Sequence, residues 1–270
     1  FKAGLEYAMA HSGCDYFWLL DDDNVAGPRT LPELLQAYAR ICRTQPGARL
    51  AVQCFREQRF FHGIAHRERP VRARQSVFLG FHIAMLSRVF HARSWPWRRL
   101  PTARSAAPLT AVEIPTGTYG GLFLSRALVD TIGYPNAQLY VYVDDTEYTH
   151  RISQRGGRLF LIPASVLHDI DRSFHMTSKP INFLTRMRQS LLAADPFRAY
   201  YATRNQAYFD RHMLRRNGCL YAVNKWAYLG LLIVQGLWLG KLRRVRLMLT
   251  AIQEGERGLL GRRDPLPQSF

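Results

Sequence analysis

The sequence predicts an α/β sheet domain followed by a helical region, and three observations lead there. Short apolar runs end in acids: Tyr16-Phe17-Trp18-Leu19-Leu20 runs into Asp21-Asp22-Asp23, and Leu139-Tyr140-Val141-Tyr142-Val143 runs into Asp144-Asp145. These runs alternate with segments of helical spacing, the pattern of a sheet that binds its ligand at the carboxyl ends of its strands. Beyond about Lys179 the pattern becomes helical. A chain of 270 residues, 47% of them hydrophobic, suits one such domain and an appendage better than two full domains. The expected division falls between residues 1–178 and 179–270.

Phe1 to His11 reads as a helix that ends near Gly13. The apolar run from Tyr16, bounded by Gly13 and by the acids, reads as a short buried strand. Leu31, Leu34, Leu35, Tyr38 and Ile41 lie at helical spacing up to Arg43, and Leu50 to Cys54 is a short strand. From Arg56 to Arg104 the periodicity is weak, and the stretch reads as an insertion with one amphipathic helix around Ser76 to Val89, near a substrate entrance. Glu113 to Gly121 is a strand or loop ending in Gly120-Gly121, and Ser125 to Ile132 is a helix stopped by Gly133. Asp144 opens a helix to Gln154 that Gly156-Gly157 closes. Arg158 to Ile162 is a strand halted by Pro163, with His168 shortly beyond.

The formal charge is +17 and is mostly arginine. Between Arg56 and Arg104 eleven arginines face only Glu57 and Glu68, and from Lys179 onward sixteen Lys and Arg face five Asp and Glu. Such an excess favours an anionic partner: nucleic acid, anionic lipid or a phosphorylated substrate. Nucleic acid is disfavoured, because no nucleic-acid-binding motif accompanies the charge. Cys14, Cys42, Cys54 and Cys219 have no metal-type spacing, so reduced thiols in a cytosolic setting are expected. Trp226 to Leu239 is almost wholly apolar and is flanked by Lys225, Lys241, Arg243, Arg244 and Arg246. It is shorter than the roughly twenty residues that a span needs. It reads either as a helix lying in the membrane interface or as a buried helix.

The chemistry-bearing residues are the Asp21 to Asp23 triplet, the Asp144-Asp145 pair and His168, each at the end of a predicted strand. Three adjacent carboxylates repel one another and call for a cation, for which a divalent metal with hard oxygen ligands is one solution. A polar loop capping the following helix is the alternative. Asp144 with Glu147 forms a capping-box pattern, which gives Asp144 a structural reading. Asp145 has no such duty and would project from the first turn, free to accept a proton. His168 reads as an ordinary polar residue near a strand end or, since imidazole is accepted by manganese, as a candidate ligand at the same edge.

FWLLDDDN (17–24), TYGGLFLSRALVDTIGYP (118–135), YVYVDDTEYTHRISQRGGRLFLIP (140–163), VLHD (166–169) and YYATRN (200–205) follow one another along the chain. In that ordered set the sequence resembles glycosyltransferase family 2 enzymes of the GT-A fold, in particular the bacterial galactofuranosyltransferase and rhamnosyltransferase group. The resemblance covers roughly Phe1 to Asn205. It implies a nucleotide-diphospho-sugar transferase fold lacking its first βαβ unit, so a piece of a longer protein is expected. It also implies an inverting transfer, in which Asp21 and Asp23 hold Mn²⁺ or Mg²⁺ against the donor's diphosphate and His168 is the third protein ligand. Asp145 matches the family's catalytic base, which takes the proton from the acceptor hydroxyl. Asp22, Gly120, Gly121 and Asp144 are candidates for contacts to the sugar nucleotide. Trp95, Trp97, Tyr119 and Tyr142 are candidates for stacking on sugar faces, with core packing as the other role of each.

The donor would be UDP-galactofuranose or dTDP-rhamnose, and the acceptor a lipid-linked or cell-surface polysaccharide. The protein would sit peripherally on an anionic membrane surface, on the cytoplasmic face of the cell membrane. The rival readings are a metal-dependent phosphoesterase using the same carboxylates, and a basic membrane- or nucleic-acid-binding module without catalysis.

Overall fold

The computed structural model describes residues 1–56, 71–85, 111–170, 183–193, 195–264 and 266. Trp95, Trp97 and most of the arginine-rich stretch lie outside them. The chain forms two compact units: Phe1–Ala73, Arg104–Asn136 and Asp145–Lys179 in the first; Arg74–Ala103, Ala137–Asp144 and Pro180–Phe270 in the second.

The first unit is a mixed sheet with helices on both faces. Its strands are β1 (Tyr16–Leu19), β2 (Asn24–Ala26), β3 (Leu50–Arg56), β4 (Val112–Ile114), β5 (Leu122–Ser125) and β6 (Arg158–Asp169), in the order β1-β5-β3-β6-β2 with β4 also on β6. Side chains alternate across a strand, and the two helical layers follow from that. Leu50, Val52 and Cys54 of β3 share a core with Leu34, Ala37 and Ile41 of α2 (Thr30–Thr44). Ala51 joins the opposite core with Leu5 of α1 (Lys2–His11), Leu128 and Val129 of α3 (Arg126–Ile132), and Tyr148 and Ile152 of α4 (Asp144–Gln154). The Ser125 hydroxyl caps α3 by accepting from Leu128 N at 3.2 Å.

Two strand expectations are corrected. Pro163 does not halt β6, which runs on to Asp169. Instead the pairing of β6 with β3 jumps from Ile162↔Cys54 to Val166↔Phe55, so Pro163, Ala164 and Ser165 bulge out, and a residue without an N–H costs the ladder nothing there. Leu139 to Val143 forms no strand; Tyr142 and Val143 adopt φ of 65° and 67°. Left-handed backbone at a non-glycine residue costs about 1–3 kcal/mol. Here the buried Asn205 holds the loop, donating from Nδ2 to the carbonyls of Val141 (2.7 Å) and Tyr142 (3.0 Å).

The second unit is helical: α5 (Phe183–Leu192), α6 (Pro196–Phe209), a π-helical turn (Asp210–Leu214), α7 (Gly218–Trp238) and α8 (Leu242–Arg257). Ser76 to Ile83, expected as the start of a helix, is a loop closed by a Phe78–Phe81 bridge; the end of that expected helix lies outside the described residues. Phe78 and Phe81 are fully buried among Met187, Tyr221, Tyr228, Leu232 and Met248. Gly236 lets α7 cross α8 closely, because a Cβ there would run into Val245. The YYATRN segment supplies this unit's framework: Tyr200, Tyr201, Arg204 and Asn205 are all buried, and Arg204 donates from Nη1 to the Gly261 carbonyl at 2.7 Å. Among the described residues, no helix is long and apolar enough to cross a membrane.

Candidate functional site

Strand directions decide what meets at the edge of the sheet. β3 and β6 are parallel, and β5 is antiparallel to both β1 and β3. The carboxyl ends of β1, β3 and β6 therefore share one edge with the start of β5. Those ends deliver the acidic triplet, Arg56 and Asp169, and Gly120-Gly121 leads into β5.

The triplet forms a β-turn between β1 and β2. Asn24 N donates to the Asp21 carbonyl at 3.2 Å, and Asn24 Oδ1 accepts from Asp21 N at 3.0 Å. The antiparallel register of β2 and β6 sets Asn24 opposite Asp169. Asn24 Nδ2 then donates to Asp23 Oδ1 (3.1 Å) and to Asp169 Oδ1 (3.0 Å). Arg56 completes the group: Nη1 donates to Asp21 Oδ2 at 3.0 Å, while Nε (3.0 Å) and Nη2 (2.6 Å) both donate to Asp169 Oδ1. The Arg56 and Asp169 side chains are only 6% and 7% exposed. The cation that the triplet calls for is thus present in part as Arg56. Burial still raises the Asp21 carboxyl above its ordinary value; Arg56 pulls it down, while Asp23 and Asp169 push it up.

Gly120 is packed into this cluster. A Cβ there would stand 2.6 Å from Arg56 Nη1, and Asp21 Oδ2 and Asn24 Oδ1 would be closer still. Gly121 adopts φ +88°, and a Cβ on it would stand 2.7 Å from Cys54 Cβ. The buried Gln53 fixes the loop, donating to the Gly120 carbonyl at 2.7 Å and accepting from Thr118 N at 3.1 Å. The same loop ties down the start of α4. Thr149 Oγ1 accepts from Gly117 N at 2.9 Å and donates to the Asp145 carbonyl at 2.7 Å. Asp145 is half-buried, and its Oδ1 accepts from Thr146 N (2.6 Å) and Thr146 Oγ1 (3.2 Å). Glu147, expected to complete a capping box with Asp144, pairs with Arg151 at 3.0 Å.

The sequence-predicted residues are therefore brought together in part. Asp21, Asp23, Gly120 and Gly121 lie at one edge, and the helix of Asp145 is anchored to the loop that carries the glycines. Asp22, in the middle of the turn, is exposed. His168 stands opposite Val25 on β2, one residue from Asp169 and so on the other face of the strand, and it is exposed. Tyr119 is buried in the core, where its ring packs 5.9 Å from that of Tyr148. Sequence reasoning missed Arg56, Asn24, Asp169 and Gln53. Asn24 and Asp169 stand inside FWLLDDDN and VLHD, so position was the available signal for them; Arg56 lies two residues beyond the strand expected at Leu50 to Cys54, which runs on to include it.

A hard dication needs several oxygen donors and an excess of negative charge. Asp21, Asp23 and Asp169 offer oxygen donors, and three carboxylates against the single Arg56 guanidinium leave two negative charges in excess. Charge and donor type fit; number does not. Among the described residues, no three of His, Cys, Asp and Glu form a group that could hold a metal ion. A cavity of about 400 Å³ in the second unit, lined by Leu79, Phe183, Arg186, Gln206 and Tyr228 among others, includes none of the predicted site residues. All four cysteines are free. No protein-family model matches this chain, and no curated protein matches it.

Proposed function

We propose that the chain is an inverting, metal-dependent glycosyltransferase with a first unit of GT-A type. In this reading it moves galactofuranose or rhamnose, from UDP-galactofuranose or dTDP-rhamnose, to a lipid-linked or cell-surface polysaccharide, working peripherally on the inner face of the cell membrane. The observation that supports it most is the convergence at one sheet edge of the Asp21 to Asp23 turn, Arg56 and Asp169 with a glycine backbone that leaves no room for a side chain. Such an acidic edge at the carboxyl ends of the strands suits a donor diphosphate bridged by a dication.

Asp21 and Asp23 are the residues that would hold Mn²⁺ or Mg²⁺, which when bound stabilises charge on a departing diphosphate. Arg56 fixes the orientation of Asp21 and supplies positive charge beside it. Asp169 is a further carboxylate beside them, while His168, the third ligand that the resemblance implies, lies on the other face of β6. Asp145, presented at the first turn of α4 and anchored through Thr149, would accept the proton of the attacking hydroxyl.

The test is release of nucleoside diphosphate in the presence of Mn²⁺, across a panel of sugar nucleotides with a lipid-linked acceptor extract. Release from one donor, lost in Asp145→Asn with the fold intact, is the expected result. No release from any donor by folded protein refutes the assignment.

A further inference from the structure

Helix α7 has two apolar faces, and only one of them is packed. Tyr221, Asn224, Tyr228, Leu229, Leu232 and Gly236 face inward. Val223, Trp226, Gly230, Ile233, Val234, Leu237 and Trp238 face outward and are exposed, Trp226 by 69%, Val234 by 64% and Trp238 by 75%. At 3.6 residues per turn these seven positions fall within an arc of roughly 140°, and that arc carries no polar side chain. An exposed apolar face of this width on a helix whose other face is already packed is ordinarily covered by protein or by lipid.

The surroundings of the stripe choose between occupants. From Arg211 to Gln253 the chain holds no Asp or Glu. Arg188 of α5 lies over the Trp238 ring at 5.6 Å, flanked on its own helix by the exposed Leu184 and Leu192. Next to it, a groove of about 670 Å³ has an apolar floor that includes Leu191, Leu237, Leu242 and Leu247, and Lys241, Arg243 and Arg244 at its lip. Lys241 and Arg243 are exposed, and Arg244 is turned to the carbonyls of Ala193 (2.8 Å) and Asp195 (3.3 Å). At the other end Lys225 is held by Glu256 at 2.5 Å. Tryptophans on an apolar face beside a rim in which basic residues outnumber acids match the boundary of an anionic bilayer. A second copy of the same face would set like charges against one another.

We propose that the outward face of α7, with the Lys241–Arg243 lip, is the surface by which the protein docks on anionic membrane. The inference rests on the membrane part of the reading above and is independent of glycosyl transfer. The helix lies along the surface, since its opposite face is packed on α5 and α8.

The experiment is vesicle sedimentation of the whole chain, read without donor or acceptor so that its failure says nothing about transfer. Binding to vesicles of phosphatidylcholine with phosphatidylglycerol, and not to phosphatidylcholine alone, is expected. Trp226→Ala with Trp238→Ala should weaken it roughly tenfold or more, and Lys241→Gln or Arg243→Gln about fivefold each. Leu237→Asp, an exposed substitution that leaves the packed face untouched, should also release the protein while circular dichroism stays unchanged. Unchanged binding in these variants overturns the proposal. So does absence of vesicle binding together with a dimer that Leu237→Asp dissolves, which would hand the face to a second copy.

Discussion

Removing Arg56 should cost the first unit more than any ordinary surface arginine would. In Arg56→Met a chain of similar length fills the space, but three hydrogen bonds to Asp21 and Asp169 disappear. The Asp169 side chain is 7% exposed, so a buried carboxylate loses the charge of Arg56 beside it. Stripping one partner from a buried pair costs about 3–5 kcal/mol. Asp21 adds less, because its side chain is 29% exposed and water screens it. A loss of about 3–5 kcal/mol is a large share of a stability that is ordinarily about 5–15 kcal/mol. The pH dependence identifies the cause. Burial, Asp23 and Asp169 raise the Asp21 carboxyl, and Arg56 opposes them. Without Arg56 it moves further above its unfolded value, so the native state binds the proton more tightly than the unfolded state. Stability then grows as pH falls through that raised value and is lost as pH climbs through it. Urea melts followed by circular dichroism should show a gap between parent and variant that is narrower at about pH 5 than at about pH 7.5. Asp169→Asn in the variant background should recover part of the loss. A penalty below about 1 kcal/mol, equal at both pH values, would refute the role of Arg56 as the counter-charge of this cluster.

Other outcomes follow from the same packing. Gly120→Ala should cost about 1–3 kcal/mol through overpacking against Asp21, Asn24 and Arg56, and in the transfer assay should lower product release; an unshifted Tm would show that the loop has room. Asn205→Ala strips the Val141 and Tyr142 carbonyls, at about 1–3 kcal/mol for each carbonyl left bare, and should show as faster hydrogen exchange around Tyr142 and Val143. Burial pushes Asp210 up to about 7 from 3.8, against hydrogen bonds from Gln206 and the Leu79 and Gly80 amides. The native state therefore holds its proton to higher pH, and the second unit should lose stability as pH rises between those two values. Asp210→Asn should flatten that slope in urea melts, and an unchanged slope would assign it elsewhere.

Local signals gave away part of this fold. Gly13, Gly133 and Gly156-Gly157 marked helix ends within a residue or two, and the apolar spacing of Leu34 to Ile41 marked α2, because caps and amphipathic faces act within a few residues. The four-residue β5, squeezed between Gly121 and its own helix cap, was not legible, although it pairs with both β1 and β3. Its placement depends on partners far away in sequence. The run to Val143 had strand composition, yet Asn205 overrides it from sixty-odd residues away. Asp21 and Asp23 were legible because the mutual repulsion of adjacent carboxylates demands an explanation, whereas Asp169 stands alone in sequence. Arg56 was not, since among eleven arginines nothing local marks the one that meets them.

The loop at Ser76 to Ile83 has a consequence for how the chain is made. Its anchors come late: Asn224 receives Ile83 N and donates to the Ser76 carbonyl, a separation of 141 and 148 residues. Phe78 and Phe81 find their aromatic neighbours in Phe183, Tyr221 and Tyr228. During synthesis these two rings leave the ribosome long before anything exists to cover them, and such a wait exposes a nascent chain to aggregation and to chaperones. For the same reason, a protein cut at residue 178 would carry two bare phenylalanines rather than end cleanly at a domain boundary.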